Sequence, residues 1–215
     1  MIKNILLIGN GKLSKSLQKY LGNYNLLIFD ENNISSLNKY SGDLLIDCSS
    51  PLAFPHIYEY LKKREIPAIV CSTGHKENDL IQMKKLSKKI PFFKSENFSF
   101  GISLINKIIK EYSKQFNLYD TYLLDFHHKN KKDSPSGTSI KISENLNNKV
   151  TTLSIRSKDI IGKHTLYFFS NEEEITISHN ATSRDVFAKG ILKAILFIEN
   201  KKPGYYTMED IINEI

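Results

Sequence analysis

The chain has 215 residues, 40% of them hydrophobic and 25% charged, with a formal net charge of +7 and an isoelectric point near 9.2. That length fits one large domain or two small ones with room for a real core. No apolar run reaches membrane-span length, the start has too short an apolar run for a secretory signal, and the lysines are spread along the chain without a basic tail. A membrane span, a secreted protein and a nucleic-acid binder are therefore disfavoured, and a cytoplasmic location is expected.

Residues 2–8 form an apolar run with strand propensity, followed at once by Gly9-Asn10-Gly11-Lys12-Leu13-Ser14. Leu13, Leu17, Tyr20 and Leu21 then recur at helical spacing. Strand, glycine-rich turn and helix in that order make G-x-G-x-x-G meaningful as a dinucleotide fingerprint, with Ser14 in the third glycine position. The next strand is predicted over Asn25–Phe29 and ends in Asp30, an acid placed to bond ribose hydroxyls. A tight turn followed by a solvent-facing acid is the plainer alternative.

Asp43–Cys48 is a third apolar run, and a helix through Ile57, Tyr60, Leu61 and Arg64 follows it. Ile66–Cys71 is a fourth run, then Ser72-Thr73-Gly74 and a helix carrying Leu80, Met83 and Leu86; Pro91–Lys94 is a fifth. Short strands alternating with helices predict an α/β fold, a doubly wound parallel sheet that binds ligands at the carboxyl ends of its strands. Cys48 and Cys71 each end an apolar run and read as small buried residues, not as a disulfide or metal site.

One helix is predicted over 104–116, from the stripe of Leu104, Ile105, Ile108, Ile109, Tyr112 and Phe116. A strand over 118–126 delivers His127 and His128 to its end. The stretch His127-His128-Lys129-Asn130-Lys131-Lys132-Asp133-Ser134-Pro135-Ser136-Gly137-Thr138 concentrates imidazoles and ammonium groups ahead of a helix start. Free N–H groups at such a start favour an anion, and a histidine beside it can donate a proton near neutral pH. A carboxylate or phosphate substrate held beside a general acid is the functional reading; a solvated lysine-rich loop is the alternative. Adjacent imidazoles leave a strand in opposite directions and lack the i, i+4 pairing of a helical zinc site, so no metal is expected.

Beyond this loop the helix runs through Ile140–Leu146, and strands are predicted over Val150–Ile155, Thr165–Phe169 and Glu174–Ser178, with Glu172 and Glu173 in the last turn. A final helix spans about 184–198, with Phe187, Ile191, Leu192, Ile195 and Leu196 on its apolar side, and Pro203-Gly204 breaks it.

The pattern His127-His128-x-x-Lys131-x-Asp133-x-Pro135-Ser136-Gly137-Thr138 resembles the signature of the 4-hydroxy-tetrahydrodipicolinate reductase (dihydrodipicolinate reductase) family. The likeness continues through Asp47-Cys48-Ser49-Ser50-Pro51, Cys71-Ser72-Thr73-Gly74, Asn97-Phe98-Ser99-Phe100-Gly101, Arg156 with Gly162-x-His164-Thr165, and His179-x-Ala181-x-Ser183-Arg184. Against the family's pattern Cys71 replaces a glycine, and the chain is short between Asp30 and Asp43 and between Leu146 and Arg156.

The resemblance implies a Rossmann-like cofactor domain formed by 1–98 and 184–215, interrupted by an α+β substrate and oligomerisation domain at 99–183. It implies hydride transfer from NADH or NADPH to a cyclic dicarboxylate imine of lysine and diaminopimelate biosynthesis, in a homotetramer. His127 would be the general acid and Lys131 its catalytic companion, while His128, Ser136, Gly137 and Thr138 would bind the substrate carboxylates. Gly9, Gly11, Lys12, Leu13, Asp30, Ser72, Thr73, Gly74, Asn97 and Phe98 would hold the cofactor, with NADH preferred because Asp30 and Glu31 repel a 2′-phosphate. Two other classes stay open at this point: another Rossmann-type oxidoreductase acting on a small acid, and a non-catalytic NAD-binding or nucleic-acid-binding protein.

Overall fold

The structure is a computed structural model and describes residues 1–146 and 149–215. It divides into two compact units, one made of Met1–Ser99 with Asp185–Ile215 and the other of Phe100–Arg184.

The first unit is built on six parallel strands: β1 (Asn4–Ile8), β2 (Asn25–Phe29), β3 (Leu44–Asp47), β4 (Ala68–Val70), β5 (Pro91–Lys94) and β10 (Gly204–Tyr206). Their order across the sheet is β10-β5-β4-β3-β1-β2. Strands buried on both faces read as continuous apolar runs, and β1 has Ile5, Leu6, Leu7 and Ile8 all fully buried. Helices cover both faces: α1 (Lys12–Gln18), α2 (Phe54–Arg64), α3 (Glu77–Ser87), α7 (Asp185–Ile198) and α8 (Met208–Asn213). Leu6, Ile8, Leu45 and Val70 pack with Phe54, Ile57 and Tyr60 of α2 and Met83 of α3 in one core.

Chain order reverses about β1, which has β2 on one side and β3 on the other, so the β1/β3 crevice is the topological switch point where such sheets bind ligands. A three-residue 3-10 turn, Pro51–Ala53, leads from this crevice into α2. Between β2 and β3 the short connection folds as a 3-10 turn, Ile34–Lys39, that buries Ile34 and Leu37 where a longer chain would place a helix.

Several expectations are corrected. Gly204–Tyr206, expected only to break a helix, is an edge strand whose Tyr205 stacks on Phe92 at 6.0 Å; three residues are too few for a periodic signal. Leu196 and Leu80 are exposed: α7 turns Ala188, Gly190, Ile191, Ala194, Ile195 and Ile198 inward, and that narrow stripe leaves Leu196 outside. Cys48 is only half-buried, because β3 ends one residue earlier and the thiol lies on the loop, whereas Cys71 is buried.

The second unit is a four-stranded mixed sheet, ordered β7-β6-β8-β9, from β6 (Asp120–His127), β7 (Val150–Arg156), β8 (Lys163–Phe169) and β9 (Glu174–Asn180). Strand β7 runs parallel to β6, through the crossover helix α6 (Gly137–Asn145), and β8 and β9 are antiparallel. Asn147 and Asn148, part of the short link from α6 to β7, lie outside the described residues.

The predicted single helix over 104–116 is two, α4 (Phe100–Glu111) and α5 (Ser113–Phe116). Tyr112 leaves the helical region at φ −103, ψ 20. In this arrangement Phe116 stacks on Phe168 at 4.3 Å, while Leu104 and Tyr112 are exposed. Ile109, Leu123, Ile142, Leu146, Leu166 and Phe168 form the core on the covered face of the sheet.

The alternation along β6 decides everything nearby. Thr121, Leu123, Asp125 and His127 face the covered side and are buried, while Tyr122, Leu124 and Phe126 face the other. Register then sets Ser154 of β7, Asp125, His164 of β8 and His179 of β9 in one cross-strand row.

Candidate active site

In the second unit the chemistry gathers at the carboxyl end of β6. Asp125 is fully buried. Its Oδ2 accepts hydrogen bonds from the Ser136 N–H at 2.8 Å, Ser154 Oγ at 3.2 Å and Arg156 Nη2 at 3.2 Å. Its Oδ1 lies 2.7 Å from His127 Nδ1 and 3.5 Å from His164 Nε2. Burial pushes the Asp125 carboxyl up, but the His127 contact, the Ser136 N–H and the nearby charge outweigh it and hold the group far below the usual carboxylate range. Arg156 is tied down further by the carbonyls of Asp125 at 3.0 Å and Asp133 at 2.8 Å.

His127 and His164 meet edge to face, with ring centroids 5.2 Å apart. Burial first, and the neighbouring His127 second, push the His164 imidazole down to about 4, so it is neutral at physiological pH. The Nε2 of His127 faces Gly162, where an added Cβ would come within 3.1 Å of it. Glycine there leaves the ring nitrogen room.

The loop after β6 carries the other predicted residues. His128 is half-buried and its carbonyl accepts the Lys131 N–H at 3.1 Å, closing a turn. Lys131 Nζ pairs with Asp133 at 2.8 Å. Burial raises the Asp133 carboxyl, yet Lys131 and backbone N–H groups that include Gly137's lower it overall. A carboxylate thus already rests between an ammonium group and the first turn of α6, as helix N-termini favour.

Ser136 departs from expectation. It is the N-cap of α6: its Oγ accepts the Ser139 N–H at 3.2 Å, its N–H goes to Asp125, and the residue is buried. Both its groups are committed inside the protein, whereas Gly137 is exposed and Thr138 half-buried.

In the first unit the glycine loop has the geometry a dinucleotide needs. Gly9 has φ +97, and a Cβ on it would stand 2.7 Å from the Cys48 carbonyl oxygen, so glycine is obligatory. A Cβ on Gly11 would meet nothing within 4 Å. Gly11 is the N-cap of α1, and Lys12 beside it is exposed while Leu13 is half-buried. Ser14 is fully buried and accepts from Gln18 Nε2 at 3.2 Å, so its small side chain fits where the fingerprint has glycine. Asp30 ends β2 with one carboxylate oxygen capping the Asn32 N–H at 2.9 Å. These residues fit a dinucleotide: an open glycine turn for the diphosphate and an acid at the end of β2 for the ribose.

At the ends of β3 and β4 the picture differs from expectation. Ser72 is buried, with its hydroxyl between Asp47 and His75 Nε2, 2.8 Å from the latter; it braces the loop, and Thr73 and Gly74 are the exposed positions. Asn97 Oδ1 accepts the Ser99 N–H at 2.8 Å. Phe98 is a core side chain against Phe93, at 5.8 Å between rings. Its aromatic ring therefore serves packing.

Asp125, Arg156 and His164 were not among the expected site residues, although the alternation that carried His127 inward also carried Asp125. Among the described residues, Asp125, His127 and His164 also form a group of metal-ligating type, with ligand atoms within 4.8 Å of one another. The 2.7 Å Asp125–His127 contact is shorter than the roughly 3.3 Å that separates two ligands held 2.0–2.1 Å from a tetrahedral zinc. It is the geometry of an acid–imidazole pair.

The chain matches two family models, "Dihydrodipicolinate reductase, N-terminus" over residues 8–98 and "Dihydrodipicolinate reductase, C-terminus" over residues 101–212. It is 36% identical over 207 residues to the 4-hydroxy-tetrahydrodipicolinate reductase of Thermosipho africanus, covering 95% of this chain and 94% of that one. To the enzyme of the same name from Caldanaerobacter subterraneus subsp. tengcongensis it is 35% identical over 198 residues, 82% of this chain and 79% of that one. A solved structure of dipicolinate-bound dihydrodipicolinate reductase from Paenisporosarcina sp. TG-14 shares the fold, with a TM-score of 0.80 at 19% identity over 98% of this chain and 100% of that one. An acid–imidazole pair beside a carboxylate seat, a glycine-loop parallel sheet and relatives matching nearly end to end agree: the chain belongs to the dihydrodipicolinate reductase family.

Proposed function

We propose that this enzyme reduces 4-hydroxy-tetrahydrodipicolinate to tetrahydrodipicolinate with NADH or NADPH, in lysine and diaminopimelate biosynthesis. The observation that carries the substrate class is the seat between Lys131 and the start of α6, which holds the carboxylate of Asp133 and is suited to a carboxylate of the substrate. Gly9, Gly11, Lys12, Leu13 and Asp30, with Thr73, Gly74 and Asn97, would hold the cofactor, which supplies the hydride when bound.

The chain's own residues do the rest. Lys131, Gly137 and Thr138 bind substrate carboxylate, and His128 and Ser136 hold the loop in shape around them. His127 keeps Nδ1 toward Asp125 and gives the proton on Nε2 to the carbon beside the one reduced. Purified enzyme supplied with freshly generated 4-hydroxy-tetrahydrodipicolinate should oxidise NADH; absence of turnover with either cofactor would falsify this reading.

Replacing Lys131 by Ala removes a charged donor worth about 1.5–3 kcal/mol, so kcat/KM for the imine should fall roughly 10- to 150-fold. The dissociation constant for NADH, read by fluorescence, should stay level. An equal loss of NADH affinity would move the loop into the cofactor's territory.

NADH should be preferred over NADPH. By the fingerprint's pattern Asp30 would meet the ribose, where it and the exposed Glu31 would oppose a 2′-phosphate against the single exposed ammonium of Lys12. The expected ratio of kcat/KM is about two- to tenfold, the size of one or two exposed charge interactions. A clear excess for NADPH would assign control of the site to Lys12.

The uncovered face of the second sheet supports self-association, which we read as a homotetramer and place in the cytoplasm. Tyr122, Leu153, Ile155 and Phe169 are exposed there, and β7 is an edge strand. An apolar sheet face of this kind is stable in water when a second copy covers it. None of the described helices is long and apolar enough to cross a membrane.

A further inference from the structure

The two oxygens of Asp125 have different surroundings. Oδ2 is anchored by three donors from two separate elements: the Ser136 N–H at the start of α6, and Ser154 Oγ and Arg156 Nη2 of β7, at 2.8, 3.2 and 3.2 Å. This anchoring leaves the carboxylate no freedom to turn. Oδ1 is aimed at the imidazoles, 2.7 Å from His127 Nδ1. Their contact falls outside hydrogen-bond geometry, as catalytic contacts in ligand-free sites often do.

We infer that Asp125 is the positioning residue of this reductase: it holds the proton of His127 on Nδ1, turns Nε2 toward the substrate, and through the Ser136 N–H ties the proton donor to the carboxylate seat of α6. The inference rests on the functional reading above and goes beyond it, since nothing in that reading assigns Asp125 a role. In the reaction the Nε2–H bond of the imidazolium breaks and a C–H bond forms on the substrate. The Nδ1 proton stays between ring and carboxylate, and Asp125 remains ionised throughout. Its carboxylate, 2.7 Å from Nδ1, fixes one neutral tautomer after transfer.

The groups around the pair are accounted for. Arg156, from β7, neutralises Asp125 from the Oδ2 side. His164, from β8, lies 3.5 Å from Oδ1, and burial keeps it neutral, so it does not compete with His127 for the carboxylate's charge. Lys131, from the loop, and His179, from β9, act on the same cluster through His164, and both oppose further positive charge. Asp125 is therefore the counter-charge available to His127 within this row.

The test is Asp125→Asn, which keeps the shape and removes the charge. At pH 7 kcat/KM for the imine should fall about 10- to 100-fold while NADH affinity stays near wild type, and the melting temperature should fall because Arg156 loses its buried partner. Nitrogen-15 spectra of histidine should find neutral His127 protonated on Nδ1 in the wild type and redistributed toward Nε2 in the variant. A loss of activity with the tautomer unaltered would mean that Asp125 only holds the fold together, and the inference fails. Should the variant not fold, the wild-type spectrum decides alone: a proton on Nε2 of neutral His127 overturns the proposal. If the wild type turns over no imine, the functional reading falls, while the spectrum still tests the pair.

Discussion

His127→Gln should lower kcat by about two to four orders of magnitude, the usual share of a positioned general acid. Glutamine fills much of the imidazole's space but has no proton to give near neutral pH, so the proton must come from water. The side chain is buried at the end of β6 and touches Asp125 and His164, so the substitution also leaves the Asp125 charge without its imidazole partner. That charge keeps Arg156, Ser154 and the Ser136 N–H, which should preserve the fold. Stopped-flow single-turnover rates with saturating NADH separate the chemical step from product release, and melting curves check the fold. Turnover at the wild-type rate would remove His127 from the mechanism.

Gly190→Ala should be the most damaging small change in the first unit. A Cβ at this position of α7 would stand 1.7 Å from the carbonyl oxygen of Phe98 and 3.1 Å from its Cβ. Backbone cannot yield as a side-chain tip would, so α7 must shift away from the segment before α4. Helix propensity favours alanine by about 1 kcal/mol. The overpacking penalty, at least about 3 kcal/mol for a clash with main chain, outweighs it. A fall in Tm of roughly 6–12 °C is expected for a chain of this size, with NADH binding weakened at the same time because Asn97 and Phe98 move. An unchanged Tm would mean that helix and segment are not packed as described. Gly11→Ala is the matching control for stability, since its added Cβ would meet nothing within 4 Å.

The parallel sheet was legible because its signals are local. Apolar runs of strand length, each closed by Gly, Ser or Asp and followed by a helical stripe, carry both the element type and the end at which ligands bind. Asn25–Phe29 and Pro91–Lys94 are strands with those same bounds. The loop from His127 to Thr138 was legible for the same reason: its histidines, lysines and helix start are contiguous, and so is the likeness that named the family. β10 escaped because three residues carry no period, and the break at Tyr112 because an apolar stripe continues across it.

By itself the sequence determined which residue types reach the carboxyl ends of the strands, the dinucleotide turn, the strand that carries His127 inward, and the family. Only the tertiary structure decided which of those residues are exposed and which brace one another. Ser136, Ser72 and Phe98 look like binding residues in the motifs, but burial forces each to satisfy its polar groups or its ring inside the protein. Conversely Arg156 and His164 share one stretch of the likeness, but Asp125 lies 31 residues before Arg156 and no local pattern joins it to them. The register of β6 with β7 and β8 does, because cross-strand neighbours share a face however far apart they lie in the chain.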